Sequence, residues 1–427
     1  MGMVQKPALR DYWSGGSVLK STFARKLMGR DRFMGILSML HLMDNTNYIP
    51  RGEDGHDPLY KVCFMVDLLK EKFRRAVYPE QHISFDEGTC AFKGRVKFHV
   101  YNKDKPHKWG IKLYELCEAS SGYCFEFEIF TGSENDVTQD KTFHTVMRIM
   151  NRSLDIGRKL YMDRYYSSPK LYDELTARGT SVTGTCNNNR KGLPIEIKPK
   201  LKQKGEVKAY RRGKLLALKW KDRKDVLMLS NQHASAMMNV RVRARGGRKD
   251  KDKPVVVQDY NDHMAGVDKI DQMMFYYAFE HKTMKWWKKL FFHLFYLTVV
   301  NAHKVYQKEL KARNVKSMCL KDFIIDLASN MHEADVDSEG SDDEPDPANR
   351  LTARHFPSYL PPTEKKNKPQ RACKVCSDKA AYERKMTNTP KTDRKRKDTL
   401  FWCHKCGVPL CPTTCFELFH TKRVYNQ

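Results

Sequence analysis

At 427 residues the chain has room for a sizeable core and for two or three domains. Its 78 lysines and arginines outnumber 51 acids, giving a formal net charge of +27, while 40% hydrophobic residues suffice for a folded interior. The longest nearly unbroken apolar run, Leu290 to Val300, contains His293 and is too short to span a bilayer, so no membrane partner is expected. No apolar secretory core stands at the N-terminus, which predicts a reducing compartment. The twelve cysteines then read as thiols or metal ligands rather than disulfides. A charge this positive predicts a polyanionic partner, with nucleic acid first among them.

Apolar residues recur at helical spacing from about Asp31 to Met43 and again from Pro58 to about Val77. From His82 the period changes. His82 to Asp86 and Val96 to Tyr101 read as strands, and Lys108 to Thr131 as a long hairpin turning at Ser120-Ser-Gly122. A helix follows from about Thr138 to Leu154, then a strand from Lys159 to Asp163 and a helix from Pro169 to Ala177. That order predicts an α/β core. Between Arg190 and Lys253 stand 21 basic and 6 acidic residues, more than half of the whole surplus. Within it, Asp225 to Ser230 is a candidate strand. The chain then reads as helical from about Asn261 to Lys311. Glu333 to Asp346 carries eight acids in fourteen residues and reads as a linker. Basic clusters return at Lys365 to Arg371 and at Lys391 to Lys397, the second resembling a nuclear-import signal.

Asp86 and Asp163 fall at the C-terminal ends of expected strands, and Asp268 lies in an expected helix with Asp271 one turn on. Carboxylates brought together from such places suit hard divalent cations such as Mg²⁺, which serve phosphoryl transfer in pairs. Spacing alone does not select these acids from the others in the chain.

The tail carries a stronger signal. Cys373-x-x-Cys376 and Cys403-x-x-Cys406 are followed by Cys411, Cys415 and His420, thiolate and imidazole ligands in zinc spacing. Zn²⁺ binding would supply folding energy that so short a segment lacks. Seven ligands are clear and a two-zinc cross-brace needs eight, for which His404 is the obvious candidate. The pairing stays open.

Asp86-Glu-Gly-Thr-Cys-Ala-Phe-Lys-Gly-Arg95, Lys105-Pro-His-Lys108-Trp-Gly and Tyr161-Met-Asp163-Arg-Tyr-Tyr resemble consecutive blocks of the piggyBac transposase family. So do Asn189-Arg190-Lys191-Gly-Leu-Pro and Tyr260-Asn-Asp-His-Met-Ala-Gly-Val-Asp268-Lys-Ile-Asp271. These matches run in family order over nearly the whole chain.

The resemblance implies an RNase H-like catalytic core with an inserted basic domain, a flanking α-helical region and a small C-terminal zinc-binding module. It implies an Asp86–Asp163–Asp268 triad holding Mg²⁺ or Mn²⁺, with Asp271 nearby. The implied activity is cleavage and transfer of DNA strands at terminal inverted repeats, with insertion at TTAA, by a nuclear homodimer. Domains follow from the alignment of blocks: 1–80 helical and concerned with dimerisation and DNA, 81–186 the first part of the core, and 187–255 the basic insertion. The core ends in a helical region at 256–330, 331–370 is an acidic then basic linker, and 371–427 is the zinc module. Arg95, Lys105, Lys108, Arg190, Lys191, Arg211 and Arg212 are the expected DNA contacts. Two departures stand out. Arg164 replaces the Asn that usually follows the second aspartate, and the sequence starts close to Asp11-Tyr-Trp, without the family's long acidic N-terminal region. They favour the alternative of a domesticated DNA- or chromatin-binding protein without cleavage activity.

Overall fold

The computed structural model describes residues 2–16, 23–103, 107–132, 140–244, 247–279, 282–338, 355–363, 366–387, 397–422 and 425. The chain separates into two compact units, Met1–Ile324 and Ile325–Gln427.

The first unit opens with the short α1 (Phe23–Leu27), α2 (Arg30–Met39) and α3 (Cys63–Ala76), the last burying Val66, Leu69 and Phe73 at helical spacing. Next come β1 (His82–Ala91), β2 (His99–Tyr101), β3 (Trp109–Glu118) and β4 (Cys124–Ile129). Gly122, at φ +76°, turns the β3–β4 hairpin where the sequence placed its turn. After α4 (Lys141–Met150), β5 (Lys159–Met162), α5 (Pro169–Ala177) and β6 (Ser181–Thr185) complete the parallel centre of the sheet. Ser168 caps α5 through the Leu171 amide, with Pro169 in the first turn.

The basic stretch does not stand apart from this sheet. Its β7 (Val207–Arg212), β8 (Leu215–Lys221) and β9 (Asp225–Ser230) extend the sheet as an antiparallel run, joined through β9 to β6. The strand order is β2-β3-β1-β5-β6-β9-β8-β7, with β4 beside β3. A two-stranded ribbon of β10 (Met237–Ala244) and β11 (Gly247–Pro254) then leads into α6 (Val255–His263), α7 (Gly266–Tyr276) and the long α8 (Trp286–Ala312). The stretch read as helical, 261–311, is divided among the end of α6, α7 and α8.

Side chains alternate across a strand, so each face gathers its own core. Ile83, Phe85, Leu160, Met162 and Val182 pack under α4 and α5. The opposite face, with Cys90, Ile111, Leu113 and Phe127, packs under α3, α7 and α8. Farther along, Val256 and Val257 of α6 cover Leu216, Leu218 and Met228. The sheet is buried on both sides, an α/β/α sandwich.

Two strand boundaries differ from the sequence reading. β1 runs on to Ala91 because β3 pairs with it from Ile83↔Glu118 to Ala91↔Gly110, leaving Asp86 mid-strand. Of Val96–Tyr101, only His99–Tyr101 pairs. α9 (Leu320–Ser338) runs into the acidic stretch, the remainder of which lies outside the described residues, as do Lys105, Lys365 and Lys391–Arg396.

The second unit is built from small pieces: β12 (Pro357–Tyr359), β13 (Arg371–Ala372), α10 (Lys374–Thr387), β14 (Asp398–Thr399), β15 (Phe401–Cys403), β16 (Val408–Pro409) and α11 (Thr414–Thr421). Its core is small, with Val375, Leu410, Phe416 and Phe419 surrounded by cysteines.

Candidate active site and metal-ligand clusters

Parallel pairing of β1 with β5 puts Phe85 beside Met162, so Asp86 stands level with Asp163, the first residue past β5. Both belong to the face that carries Ser84 and Tyr161. Helix α7 lies on this face and approaches β1 very closely: a Cβ on Gly266 would stand 2.1 Å from the Ser84 hydroxyl oxygen. Asp268, in the first turn of α7, is thereby brought over β1. The charges of all three carboxylates act on Tyr260 of α6. Burial, and then the charges of Asp163, Asp86 and Asp268, push its hydroxyl up to about 12 against a hydrogen bond with Thr185. Asp163 itself is raised, chiefly by burial and then by the Glu87 charge, against hydrogen bonding from the Tyr165 amide at 2.7 Å. A half-buried carboxylate among other carboxylates is short of positive charge, which a hard divalent cation would supply.

Asp268 and Asp271 both line a cavity of about 430 Å³ with His107, Lys289 and His293. Arg164 is exposed and makes no salt bridge among the described residues, and its charge partly offsets the rise at Asp163.

Sequence reasoning missed Glu115. It pairs with Asp86 across the β1–β3 ladder, on the same face, and is 2% exposed. A lone acid in the apolar run Leu113-Tyr-Glu-Leu-Cys117 was the available signal.

A family model described as Transposase IS4 matches residues 1–303. The chain belongs to the piggyBac transposase family. Human PiggyBac transposable element-derived protein 3 is 26% identical over 328 residues, covering 72% of this chain and 54% of that one. Human PiggyBac transposable element-derived protein 2 is 24% identical over 356 residues, covering 79% and 58%. The chain thus spans somewhat over half the length of these relatives. The cryo-EM structure of a piggyBac transposase synaptic complex with hairpin DNA superposes with a TM-score of 0.66 at 21% identity, over 92% of this chain and 79% of that one, and shows a shared fold. Among the described residues no helix is long and apolar enough to cross a membrane.

In this piggyBac-family chain the tail cysteines gather into two tetrads. Cys373, Cys376, Cys411 and Cys415 form one; Cys403, Cys406 and His420 form the other together with His355. The eighth position belongs to His355, not to His404, which is exposed and whose ring meets Trp402 edge-on. Sulfur and nitrogen separations of 3.3 Å (His355 Nδ1 to Cys403 Sγ), 3.4 Å (His355 Nδ1 to Cys406 Sγ) and 3.6 Å (Cys406 Sγ to His420 Nε2) fit a tetrahedron. With metal–sulfur bonds of about 2.3 Å, ligand atoms sit roughly 3.7 Å apart. His420 donates Nδ1–H to the Phe416 carbonyl at 2.8 Å, leaving its Nε2 lone pair for the cluster. The two sets alternate along the chain as a cross-brace, and the donor chemistry fits zinc.

The expected DNA contacts are not equivalent. Arg95, Lys108 and Lys191 are exposed. The Arg190 guanidinium is occupied by the carbonyls of Arg164 and Tyr165, bracing the loop after β5. Arg211 donates to the His233 carbonyl, and Arg212 pairs with Asp173.

Proposed function

We propose that this chain is a piggyBac-type transposase that cleaves and joins DNA strands at terminal inverted repeats, with TTAA as target. What supports this reading is that Asp86 and Asp163 stand level on neighbouring parallel strands while α7, with Asp268 in its first turn, packs closely on β1. These carboxylates would hold Mg²⁺ or Mn²⁺, which when bound activates the attacking oxygen and stabilises the leaving one. The protein's own part is to hold the carboxylates on neighbouring strands and a close-packed helix, and Asp271 adds a second carboxylate to the adjoining cavity that Asp268 lines. The parallel strands with crossover helices support an RNase H-like core over 81–186 and 256–330, with 187–255 as the inserted basic region. Exposed Arg95, Lys108 and Lys191 would neutralise phosphates beside the aspartates. The tail at 371–427, completed by His355 from the preceding linker, would hold two Zn²⁺ and grip repeat DNA. Action on chromosomal DNA implies the nucleus, and joining two ends implies a homodimer.

The test is incubation of the full chain with DNA bearing terminal repeats and Mg²⁺ or Mn²⁺, beside an Asp163→Asn variant. Cleavage in the wild type alone is the expected result. Tight DNA binding with no cleavage under either metal would overturn the enzymatic reading in favour of a DNA-binding protein that has lost catalysis.

A further inference from the structure

The sheet face that carries Asp86 bears a second polar cluster, about 13 Å away along β1 at a strand rise of about 3.3 Å per residue over the four residues to His82. Ligand atoms of His82, Asp259 and His263 lie within 4.8 Å of one another. They come from three places: the first residue of β1 and two positions one turn apart on α6. The imidazole rings of His82 and His263 stack with centroids 4.0 Å apart. The group is half-buried, with His263 28% and Asp259 20% exposed at the side chain, so an ion reaches it from solvent.

Hydrogen bonding fixes the state of each group. Tyr161 Oη donates to Asp259 Oδ2 at 2.9 Å, so it accepts at 2.9 Å from His82 Nδ1–H. His263 Nδ1 lies 2.9 Å from the Asp259 carbonyl and 3.1 Å from the Asp259 carboxylate Oδ1, both of which can only accept. As neutral imidazoles both would therefore carry the Nε2 lone pair, with no hydrogen-bond partner for it among the described residues, the tautomer that a metal ligand requires. Asp259 is oriented in turn: His233 Nε2 stands 3.2 Å from Oδ2, and Gln232 Nε2 lies 3.4 Å from it. Ligands whose second atoms are all tied to neighbours form the supporting shell of a metal site.

We propose that His82, Asp259 and His263 form a zinc site separate from both the aspartate triad and the cysteine tail. Two imidazoles and one carboxylate are a ligand set for Zn²⁺ rather than for Mg²⁺, which prefers an all-oxygen shell. Water takes the fourth position. Zinc bonds of about 2.0–2.1 Å need the ligand atoms drawn to roughly 3.4 Å apart, a contraction within reach of rotation at the two partly exposed imidazoles. The ion clamps α6, whose Tyr260 feels the charge of all three aspartates, onto the first residue of β1. The site's role is to tie those elements together.

The measurement is zinc content of the full-length chain, loaded with Zn²⁺ and desalted, before and after a mercurial thiol reagent that displaces zinc from cysteines. One equivalent is expected to survive thiol modification and to leave only with EDTA. His263→Gln and Asp259→Asn should each lose that equivalent while the thiol-displaced fraction stays the same. The site is overturned if no zinc survives thiol modification in the wild type, or if the surviving equivalent persists in both folded variants. Counting only the thiol-resistant fraction makes the outcome independent of what the tail binds.

Discussion

Glu115 stands directly across from Asp86 in the β1–β3 ladder, and its carboxyl occupies the room that Gly88 leaves: a Cβ at Gly88 would lie 2.6 Å from Glu115 Oε1. The glycine is thus required by a neighbour's side chain rather than by its own backbone angles. Gly88→Ala should destabilise the chain by about 1–3 kcal/mol, the range for overpacking a buried site. Adding Glu115→Ala removes the clash, so the double variant should lose clearly less than the sum of the two singles. Urea denaturation of the four proteins in the cycle gives the answer; strict additivity would mean the two side chains do not meet.

Gly266 plays the same part between helix and strand, with a Cβ there 2.1 Å from Ser84 Oγ and 3.2 Å from the Glu118 carbonyl. Ser84 is fully buried, and the Glu118 carbonyl and Ala119 Cα, at 3.2 and 3.3 Å, are backbone, so α7 must move. Gly266→Ala should cost at least about 2 kcal/mol and displace Asp268 from Asp86 and Asp163. In the cleavage assay this variant should lose activity even at temperatures where circular dichroism shows it folded. Full activity in the folded variant would show that the separation of α7 from β1 is not critical.

Glu118 supplies a pH-dependent contribution to stability. Burial alone would raise its carboxyl, but Lys308 at 2.8 Å, the Ser121 hydroxyl and the Glu80 amide at 2.9 Å outweigh burial and hold it below the ordinary value. A depressed carboxylate stabilises the fold above its unfolded-state pKa, near 4.3, and that stability is lost as pH falls through the folded value. Lys308→Met leaves a carboxyl that is 1% exposed without its cation, at a cost of about 2–3 kcal/mol at pH 7. Burial then acts with less opposition, so the acid midpoint of unfolding should move to higher pH in the variant. Parallel melting curves from pH 3 to 7 test both statements; an unchanged acid limb would remove Glu118 from the account.

Much of this site could be read from the sequence where local periodicity determines it. Lys159-Leu-Tyr-Met alternates as a strand, and Asp163 follows it; Asp225–Ser230 is the observed β9. Asp268 and Asp271 are one turn apart on a helix as expected. What local pattern cannot reveal is pairing between distant segments. The end of β1 is set by β3, and Glu115 joins the face of Asp86 only through that antiparallel register. The cluster of His82, Asp259 and His263 joins residues from the two ends of a nine-stranded sheet's sequence. Arg190 and Arg212 counted as free charge in the composition, yet folding commits them to a loop carbonyl and to Asp173.

His355 shows the same limit, and a decisive test follows from it. It stands 18 residues ahead of Cys373 with no cysteine or second histidine beside it, so no spacing rule selects it, whereas His404 lies inside a Cys-x-x-Cys knuckle. The fold reverses that preference by pairing β12 with β15, Pro357 opposite Cys403, which carries the preceding His355 to the knuckle. His355→Ala should therefore reduce the thiol-displaced zinc by one equivalent, while His404→Ala should leave it unchanged. Because the second unit's own core is small, its folding should depend on metal. Chelation should expose its cysteines to a thiol reagent at near-unfolded rates, while Cys117 and Cys124, fully buried in the first unit's sheet, stay protected. Loss of zinc in His404→Ala rather than in His355→Ala would reverse the assignment of the eighth ligand.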